Sequence, residues 1–242
     1  MRNMTYRIAL AGNPNTGKST LFNALTGLRQ HTGNWPGKTV TSAEGTFTHR
    51  GLTYTIVDLP GTYSLFSNSA DEEVARDYLI FGRPDVTMVV VDATALERNL
   101  NLVLQILEIT DRVIVVVNLI DEARRQGIHI DAGALASQLG VPVVLTSARN
   151  GEGIPELLDV LDGMVRGTIE TQPLQVRYSP ALEERIAALE PQVRNLLGDA
   201  YPSRWIALRL LDGDESLLAA LKQKLTAPHE EVSGYEPIRA SI

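Results

Sequence analysis

The sequence predicts an α/β protein in which a six-stranded, mostly parallel sheet with flanking helices precedes a small C-terminal helical domain. From Tyr6 to Arg166, short β-branched runs alternate with longer amphipathic stretches, which is the pattern of a parallel sheet with crossover helices. After Arg166 the β-branched runs stop, and apolar residues recur at helical spacing. We therefore expect two domains, at residues 1–167 and 168–242.

The predicted strands are short apolar runs that end in small or polar residues. They lie at Arg7–Ala11, Ala43–His49, Thr53–Asp58, Val86–Asp92, Val113–Asn118 and Val141–Thr146. The tetrapeptide from His49 to Leu52 has the composition of a hairpin turn, so one strand of the sheet is expected to be antiparallel.

The predicted helices of the first domain fill the stretches between these strands. They lie at Lys18–Thr26, Asp71–Phe81, Arg98–Thr110, Ala132–Leu139 and Ile154–Val165. In the last of these, Ile154, Leu157 and Leu161 lie on one face, and proline is tolerated in a first turn, where Pro155 stands.

The C-terminal part begins with a linker, from Gly167 to Tyr178, that ends in Ser179 and Pro180, a capping residue followed by proline. Apolar residues at helical spacing then predict three helices: Leu182, Ile186, Leu189 and Val193; Trp205, Leu208 and Leu211; and Leu217, Leu218, Leu221 and Leu225. Residues 228–242 contain few apolar residues and are assigned to a tail.

Composition excludes several classes of protein. No segment approaches the roughly 20 apolar residues of a membrane helix, and no signal-peptide pattern precedes the first strand, so the chain as given is expected to be soluble. The absence of cysteine excludes disulfides and thiolate metal sites. The net charge is −7, and residues from Thr168 onward carry eight basic against eleven acidic residues. This balance argues against a nucleic-acid partner.

The segment from Gly12 to Ser19 matches G-x-x-x-x-G-K-[ST], the P-loop whose backbone N–H groups wrap nucleotide phosphates. Lys18 would contact the β- and γ-phosphates, Ser19 would offer a hydroxyl to Mg²⁺, and the following helix would aim its N-terminus at the phosphates. A glycine-rich turn with a chance Lys-Ser is the alternative. The candidate phosphate-binding residues are Gly12, Asn13, Pro14, Asn15, Thr16, Gly17, Lys18, Ser19 and Thr20.

A second candidate segment runs from Asp58 to Gly61, at the end of the third predicted strand. A carboxylate at that position can hold Mg²⁺ through water, and Gly61 can offer a backbone N–H to a γ-phosphate. The alternative is a strand that ends in an ordinary Pro-Gly turn.

Two further segments predict a site for guanine. Asp121, after the fifth strand and Asn118, can accept hydrogen bonds from guanine N1–H and N2–H, whereas adenine would leave the carboxylate unpaired. Ser147 and Ala148 follow the sixth strand, where a small residue lets a backbone N–H reach the base oxygen. The Asn118/Asp121 pair could instead cap the next helix. The order of the four segments, each at a strand end, favours the nucleotide site.

Together these four segments resemble a TRAFAC-class GTPase. Leu119 departs from the pattern, because many members have a lysine whose stem lies over the base. Gly33–Val40, Gly12–Asn15 and the segment from Tyr201 to Trp205 are similar to the cytosolic N-terminal part of the FeoB family of bacterial ferrous-iron transporters. The likeness extends to about Leu225.

The resemblance implies slow, Mg²⁺-dependent hydrolysis of GTP to GDP and phosphate, in which Lys18, Thr39, Asn15 and Gly61 take part. Ser19, Thr39 and Asp58 would hold Mg²⁺, and Asn15 would hold K⁺. The two switches would span Arg29–Thr41 and Asp58–Asp77, within which Trp35 is either a buried anchor or a moving part. Thr62 stands where Ras-like enzymes have a water-orienting glutamine.

The resemblance also implies partners and a location. The implied partners are GTP or GDP, a membrane domain of the same full-length transporter and a second copy of the chain. Nucleic acid is not an implied partner. The implied location is the cytoplasmic face of the bacterial inner membrane. Two alternatives stay open: a nucleotide-dependent binding switch in which turnover is incidental, and an RNA- or ribosome-associated, Era-like GTPase unrelated to iron. The acidic balance after Thr168 speaks against the second.

Overall fold

The computed structural model describes residues 5–27, 30–36, 38–66 and 69–226, and the predicted tail lies outside them. Its sheet has seven strands in the order β2-β3-β4-β1-β5-β6-β7. They are β1 Thr5–Gly12, β2 Gln30–Asn34, β3 Thr41–His49, β4 Leu52–Asp58, β5 Val86–Asp92, β6 Val113–Asn118 and β7 Val143–Leu145. β3 is antiparallel to both β2 and β4, whereas the pairs from β4 through β1, β5 and β6 to β7 are parallel. The predicted fold class and the single antiparallel strand are confirmed.

The strand count of six is one too low, because β2 was not predicted. Its sequence, Gln-His-Thr-Gly-Asn, shows neither a β-branched run nor apolar alternation. The strand forms by backbone pairing with β3, from Gln30 opposite Gly45 to Asn34 opposite Thr41. It is an edge strand, and it lies inside the segment predicted as the first switch.

Nine α-helices are present in the described residues. They are α1 Lys18–Thr26, α2 Ala70–Asp77, α3 Leu96–Leu107, α4 Ile120–Arg125, α5 Ala132–Leu139, α6 Ile154–Arg166, α7 Pro180–Leu197, α8 Ser203–Leu211 and α9 Glu215–Thr226. A π-helical turn, Tyr78–Gly82, continues α2, so the predicted helix at Asp71–Phe81 covers both. α4 was not predicted as a helix because it has six residues and begins after Leu119, whose φ of 63° is left-handed.

Apolar side chains cover both faces of the sheet. On one face, Leu21 and Phe22 of α1 and Leu157 and Leu161 of α6 pack against the central strands. On the other face the apolar cluster includes α2 and α3 and continues into Ile206 of α8. The strands β5 and β6 are buried on both sides, as expected for parallel strands beneath crossover helices.

The sheet brings the four candidate segments to one edge. Leu10 lies opposite Asp58 and Gly12 opposite Val90, so the phosphate loop and the Asp58 segment leave the sheet side by side. Asn118 lies opposite Asp92 in the same direction. A ligand crevice at the carboxyl ends of the strands is the general arrangement in open α/β sheets.

The helical part begins where predicted, at Pro180. The Ser179 side chain makes no capping hydrogen bond; the Glu183 carboxylate accepts one from the Tyr178 N–H instead, at 2.9 Å. Among the described residues, none of the helices has the length and hydrophobicity needed to cross a membrane. The domain boundary at residue 167 stays a prediction.

Candidate nucleotide site

Two glycines give the loop after β1 its shape. A Cβ atom at Gly12 would lie 2.5 Å from the carbonyl oxygen of Val90 on the neighbouring strand. A Cβ atom at Gly17 would lie 2.4 Å from Asn118 Nδ2, and the φ of Gly17 is +75°. Any side chain at either position would therefore displace a neighbouring strand or side chain, and at Gly17 it would also strain the backbone.

The loop and the start of α1 enclose a cavity of about 370 Å³. It is lined by Asn13, Pro14, Asn15, Gly17, Lys18, Ser19, Thr20 and Gly61. The backbone N–H groups at the start of α1 and the positive end of its dipole make this an anion site. Gly12 and Thr16 shape the loop from behind: Thr16 is 1% exposed, and its hydroxyl donates to the Asn13 carbonyl oxygen at 3.0 Å.

Lys18 and Asp58 meet at this cavity. The Lys18 ammonium forms an ion pair with the Asp58 carboxylate and donates to the Leu59 carbonyl oxygen at 2.6 Å. Burial raises the pKa of Asp58, and the nearby Lys18 acts in the opposite direction. The Thr62 N–H donates to the Gly12 carbonyl oxygen at 3.2 Å, so the predicted second switch begins in direct contact with the phosphate loop.

The donor set suits Mg²⁺. Ser19 lines the cavity with a hydroxyl oxygen, and the Asp58 carboxylate lies beside Lys18 at the same place. Both are hard oxygen ligands of the kind that Mg²⁺ prefers.

None of the described residues of the predicted first switch lines the cavity. Trp35 is 4% exposed and packs edge-on against Tyr78, with ring centroids 5.4 Å apart. Lys38 forms an ion pair with Glu73 of α2. Thr39 is exposed and does not line the cavity, so its metal-binding role stays a prediction. Trp35 is a buried anchor in this arrangement. Residues 29, 37, 67 and 68 of the switch regions lie outside the described residues.

The side chain of Asn118 joins the phosphate loop to the loop after β7. Its Nδ2 donates to the Thr16 carbonyl oxygen at 2.9 Å. Its Oδ1 accepts from the Thr146 hydroxyl at 3.1 Å and from the Ala148 N–H at 3.0 Å. Asn118 is 1% exposed, so these bonds are shielded from water. One buried amide thus fixes both parts of the site, and the interpretation of Asn118 as a helix cap is wrong.

Asp121 and Ser147 are brought together at the outer end of this loop. The Ser147 hydroxyl donates to Asp121 Oδ1 at 3.0 Å and holds the pKa of that carboxyl below its usual value. Asn150, which the sequence analysis missed, lies beside both side chains. Its only sequence signal is the spacing of three residues from Ser147.

Leu119 lies between the two parts of the site. Its Cδ2 is 3.5 Å from the position that a Gly17 Cβ would occupy. The leucine therefore places an apolar side chain against the phosphate loop. Many TRAFAC-class GTPases have a lysine at this position. The leucine does not supply the lysine's charge.

Comparison with known proteins places the chain in a family. A family model described as ferrous iron transport protein B matches residues 6–161, and one described as the FeoB cytosolic helical domain matches residues 178–241. A Porphyromonas gingivalis Fe(2+) transport protein A/Fe(2+) transporter FeoB fusion protein is 41% identical over 215 residues, which are 87% of this chain and 26% of that protein. The Fe(2+) transporter FeoB of Salmonella typhimurium is 42% identical over 212 residues, 86% of this chain and 27% of the relative. The chain spans about a quarter of these relatives.

Solved structures agree in fold. The cytosolic domain of the T. maritima FeoB iron transporter in apo form has a TM-score of 0.80 and 40% identity, covering 95% of this chain and 90% of that one. Its GDP form I has a TM-score of 0.80 and 41% identity, covering 94% and 88%. Its GMPPNP form has a TM-score of 0.77 and 40% identity, covering 93% and 88%.

Proposed function

The chain belongs to the FeoB family of ferrous iron transport proteins, and from this we propose that it binds GTP and hydrolyses it slowly to GDP and phosphate, with Mg²⁺. The observation that carries the proposal is the Asn118 side chain, which joins a phosphate-binding loop to a loop suited to guanine. A phosphate loop alone would not distinguish a guanine nucleotide from an adenine nucleotide.

The phosphates would lie in the cavity at the start of α1. Lys18, now beside Asp58, would gain a second anionic partner in the β- and γ-phosphates. Ser19 and Asp58 would hold Mg²⁺, with Thr39 joining when the first switch moves inward. The bound metal ion would neutralise the charge that develops on the phosphoryl oxygens.

The base would lie against the loop after β7. Asp121 would accept from guanine N1–H and N2–H. The backbone N–H groups of Ser147 and Ala148 already donate to the Glu152 carbonyl oxygen and to Asn118 Oδ1, so these two residues would help mainly by fixing the loop.

Hydrolysis would proceed by attack of water on the γ-phosphorus, which forms one P–O bond and breaks the bond to the GDP oxygen. Thr62 cannot orient that water, because its side chain is buried and its hydroxyl donates to the Ser64 carbonyl oxygen at 2.7 Å. The water would depend on backbone groups such as the Gly61 N–H, which is the physical reason to expect a slow reaction.

Asn15 is the candidate ligand for K⁺. It lines the cavity, it is exposed, and its backbone is left-handed with φ of 66°. An amide oxygen beside the phosphates could hold a monovalent cation that offsets developing charge. Potassium should then raise the rate of hydrolysis over sodium, and Asn15→Ala should abolish the difference. Equal rates in both salts would leave Asn15 a loop-shaping residue.

At the level of the whole protein, the chain would be the regulatory GTPase part of a ferrous-iron transporter, at the cytoplasmic face of the bacterial inner membrane. Its partners would be GTP or GDP, the membrane domain of the same polypeptide and a second copy of the chain. Family membership favours this role over the RNA-associated alternative.

Calorimetric titration of the purified chain with GDP, GTP and ATP tests the nucleotide, and phosphate release with Mg²⁺ or with EDTA tests the reaction. Lys18→Ala should abolish phosphate release, whereas Lys222→Ala, an exposed lysine on α9, should not. Equal affinity for ATP, or no phosphate release with Mg²⁺, would overturn the proposal. In the full-length transporter in proteoliposomes, Lys18→Ala should also abolish iron uptake that depends on GTP.

A further inference from the structure

Asn150 lies next to the carboxylate that is expected to read guanine. It ends the 3₁₀ turn Ala148–Asn150, in which its N–H donates to the Ser147 carbonyl oxygen at 2.9 Å. Side chains three residues apart eclipse in a 3₁₀ turn. The Asn150 side chain is therefore stacked on that of Ser147, and not directed away from it.

The contacts of Asn150 determine which way its amide points. Its Nδ2 lies 2.9 Å from Ser147 Oγ and 3.4 Å from Asp121 Oδ2. A carbonyl oxygen in that position would face a carboxylate oxygen and be repelled. The nitrogen therefore occupies it, and it donates to the Ser147 hydroxyl.

This donation decides the direction of the Ser147 proton. A hydroxyl has one donor and two acceptor sites, and Asn150 fills an acceptor site. The Ser147 proton is then left to point at Asp121 Oδ1, 3.0 Å away. The three side chains form a directed series, Asn150 to Ser147 to Asp121, at the position where the base would bind.

A structural role for Asn150 is the alternative, and its surroundings do not favour one. Asn150 is exposed, and the loop is already closed by two backbone hydrogen bonds between Ser147 and Glu152, at 3.1 and 3.2 Å. The same loop is tied to α4 by the ion pair of Glu152 with Arg124, at 2.7 Å. The turn therefore keeps its backbone contacts without the Asn150 amide.

We propose that Asn150 is a specificity-determining positioning residue: it fixes the Ser147 hydroxyl as a donor to Asp121 and so orients the carboxylate that reads guanine. The inference rests on the proposed guanine-nucleotide function. It predicts a larger effect on ligands that use both carboxylate oxygens than on ligands that use one. GDP offers N1–H and N2–H, whereas inosine diphosphate (IDP) offers N1–H alone.

The experiment measures the affinities and dissociation rates of GDP and IDP for the purified chain. Asn150→Ala should weaken GDP binding about 5- to 20-fold, mostly through faster dissociation, and IDP binding less than threefold. Asn150→Asp should weaken GDP more strongly, because a carboxylate would accept the Ser147 proton and repel Asp121. In a Ser147→Ala background, Asn150→Ala should change GDP affinity by less than twofold.

Glu152→Gln is the matched control, because it removes the ion pair with Arg124 from the same loop and leaves the Asp121 contacts in place. It should leave the ratio of GDP to IDP affinity within twofold of wild type. Thermal unfolding checks that each variant is folded. Equal losses for GDP and IDP, or a loss that persists in the Ser147→Ala background, would overturn the assignment of Asn150. A wild-type chain that does not prefer GDP over ATP would instead overturn the proposed function.

Discussion

Replacing Asn118 with alanine tests the feature on which the whole site depends. The change removes the hydrogen bonds to the Thr16 carbonyl, the Thr146 hydroxyl and the Ala148 N–H. All three partners are at most 6% exposed, so water cannot readily replace the amide. The phosphate loop and the loop after β7 would lose the contact that they share through Asn118.

The magnitude follows from counting the groups left unpaired. A buried donor without a partner costs about 1–3 kcal/mol, and a typical hydrogen bond contributes about 1 kcal/mol net. With Thr146 and Ala148 as the two buried donors, we expect the free energy of unfolding to fall by about 2–6 kcal/mol. Because both halves of the site would be released, GDP affinity should fall about 30- to 150-fold, or about 2–3 kcal/mol.

Urea unfolding and calorimetric GDP titration measure the two quantities. Asn99 provides the control, since it is 4% exposed and its amide accepts from the Asp92 N–H and donates to the Ala95 carbonyl, both at 3.0 Å. It does not line the cavity. Asn99→Ala should therefore lower stability by about 2–3 kcal/mol and leave GDP affinity within twofold. Thr146→Val removes one partner of Asn118 and gives a milder variant if Asn118→Ala does not fold.

The two asparagines separate a structural effect from a binding effect. If Asn118→Ala lost stability but kept GDP affinity within twofold, as expected for Asn99→Ala, the reasoning would be refuted. The Asn118 amide would then stabilise the fold without organising the nucleotide site.

Three other changes test separate parts of the proposal. Asp121→Asn should weaken GTP binding by at least ~2 kcal/mol and improve binding of xanthosine triphosphate, because donor and acceptor are exchanged; unchanged GTP affinity in a titration would remove Asp121 from the site. Thr39→Ala should lower kcat tenfold or more, about 1.4 kcal/mol of barrier, with little change in GDP affinity; a wild-type rate would exclude a switch role. The Arg204 guanidinium holds the pKa of Glu183 at about 2, below its usual 4.5, so its contribution to stability is present above pH 4.5 and is lost as the pH falls toward 2. Glu183→Gln should accordingly be less stable than wild type in chemical unfolding at pH 6, with the difference vanishing near pH 2; a difference independent of pH would contradict the ion-pair explanation.

The fold was predictable for the elements whose burial is visible in the pattern of apolar residues. β5 and β6 are continuous apolar runs because both of their faces are buried, and such runs are visible without a structure. β2 was not predictable, since its five residues are placed by backbone pairing with β3. α4 is short and follows a left-handed leucine, a conformation that sequence patterns do not reveal.

Parts of the candidate site could also be predicted from the sequence, and parts could not. The strand pattern predicted that the segments around Asp58 and Asn118 leave the sheet on the same side, because parallel strands deliver their carboxyl ends to the same side, and the observed strand pairing agrees. The sequence did not show that the Asn118 side chain would form hydrogen bonds with the phosphate loop and with the loop after β7. That contact depends on the distance between two loops, which only the packed sheet sets.

The position of Thr39 relative to the cavity could not be predicted from the sequence motif in which it lies. Thr39 does not line the cavity, and its loop makes two contacts with the helical segment that follows the second switch, the Trp35–Tyr78 ring pair and the Lys38–Glu73 ion pair. An aromatic pair contributes about 0.5–1.5 kcal/mol, and an ion pair as exposed as this one contributes about 0–1 kcal/mol. A ligand shifts such an equilibrium only by the difference in its contacts with the two states. To offset the loss of these two contacts, a γ-phosphate that drew Thr39 inward would need to supply about 0.5–2.5 kcal/mol beyond what GDP supplies, within the range of one or two charge-assisted hydrogen bonds.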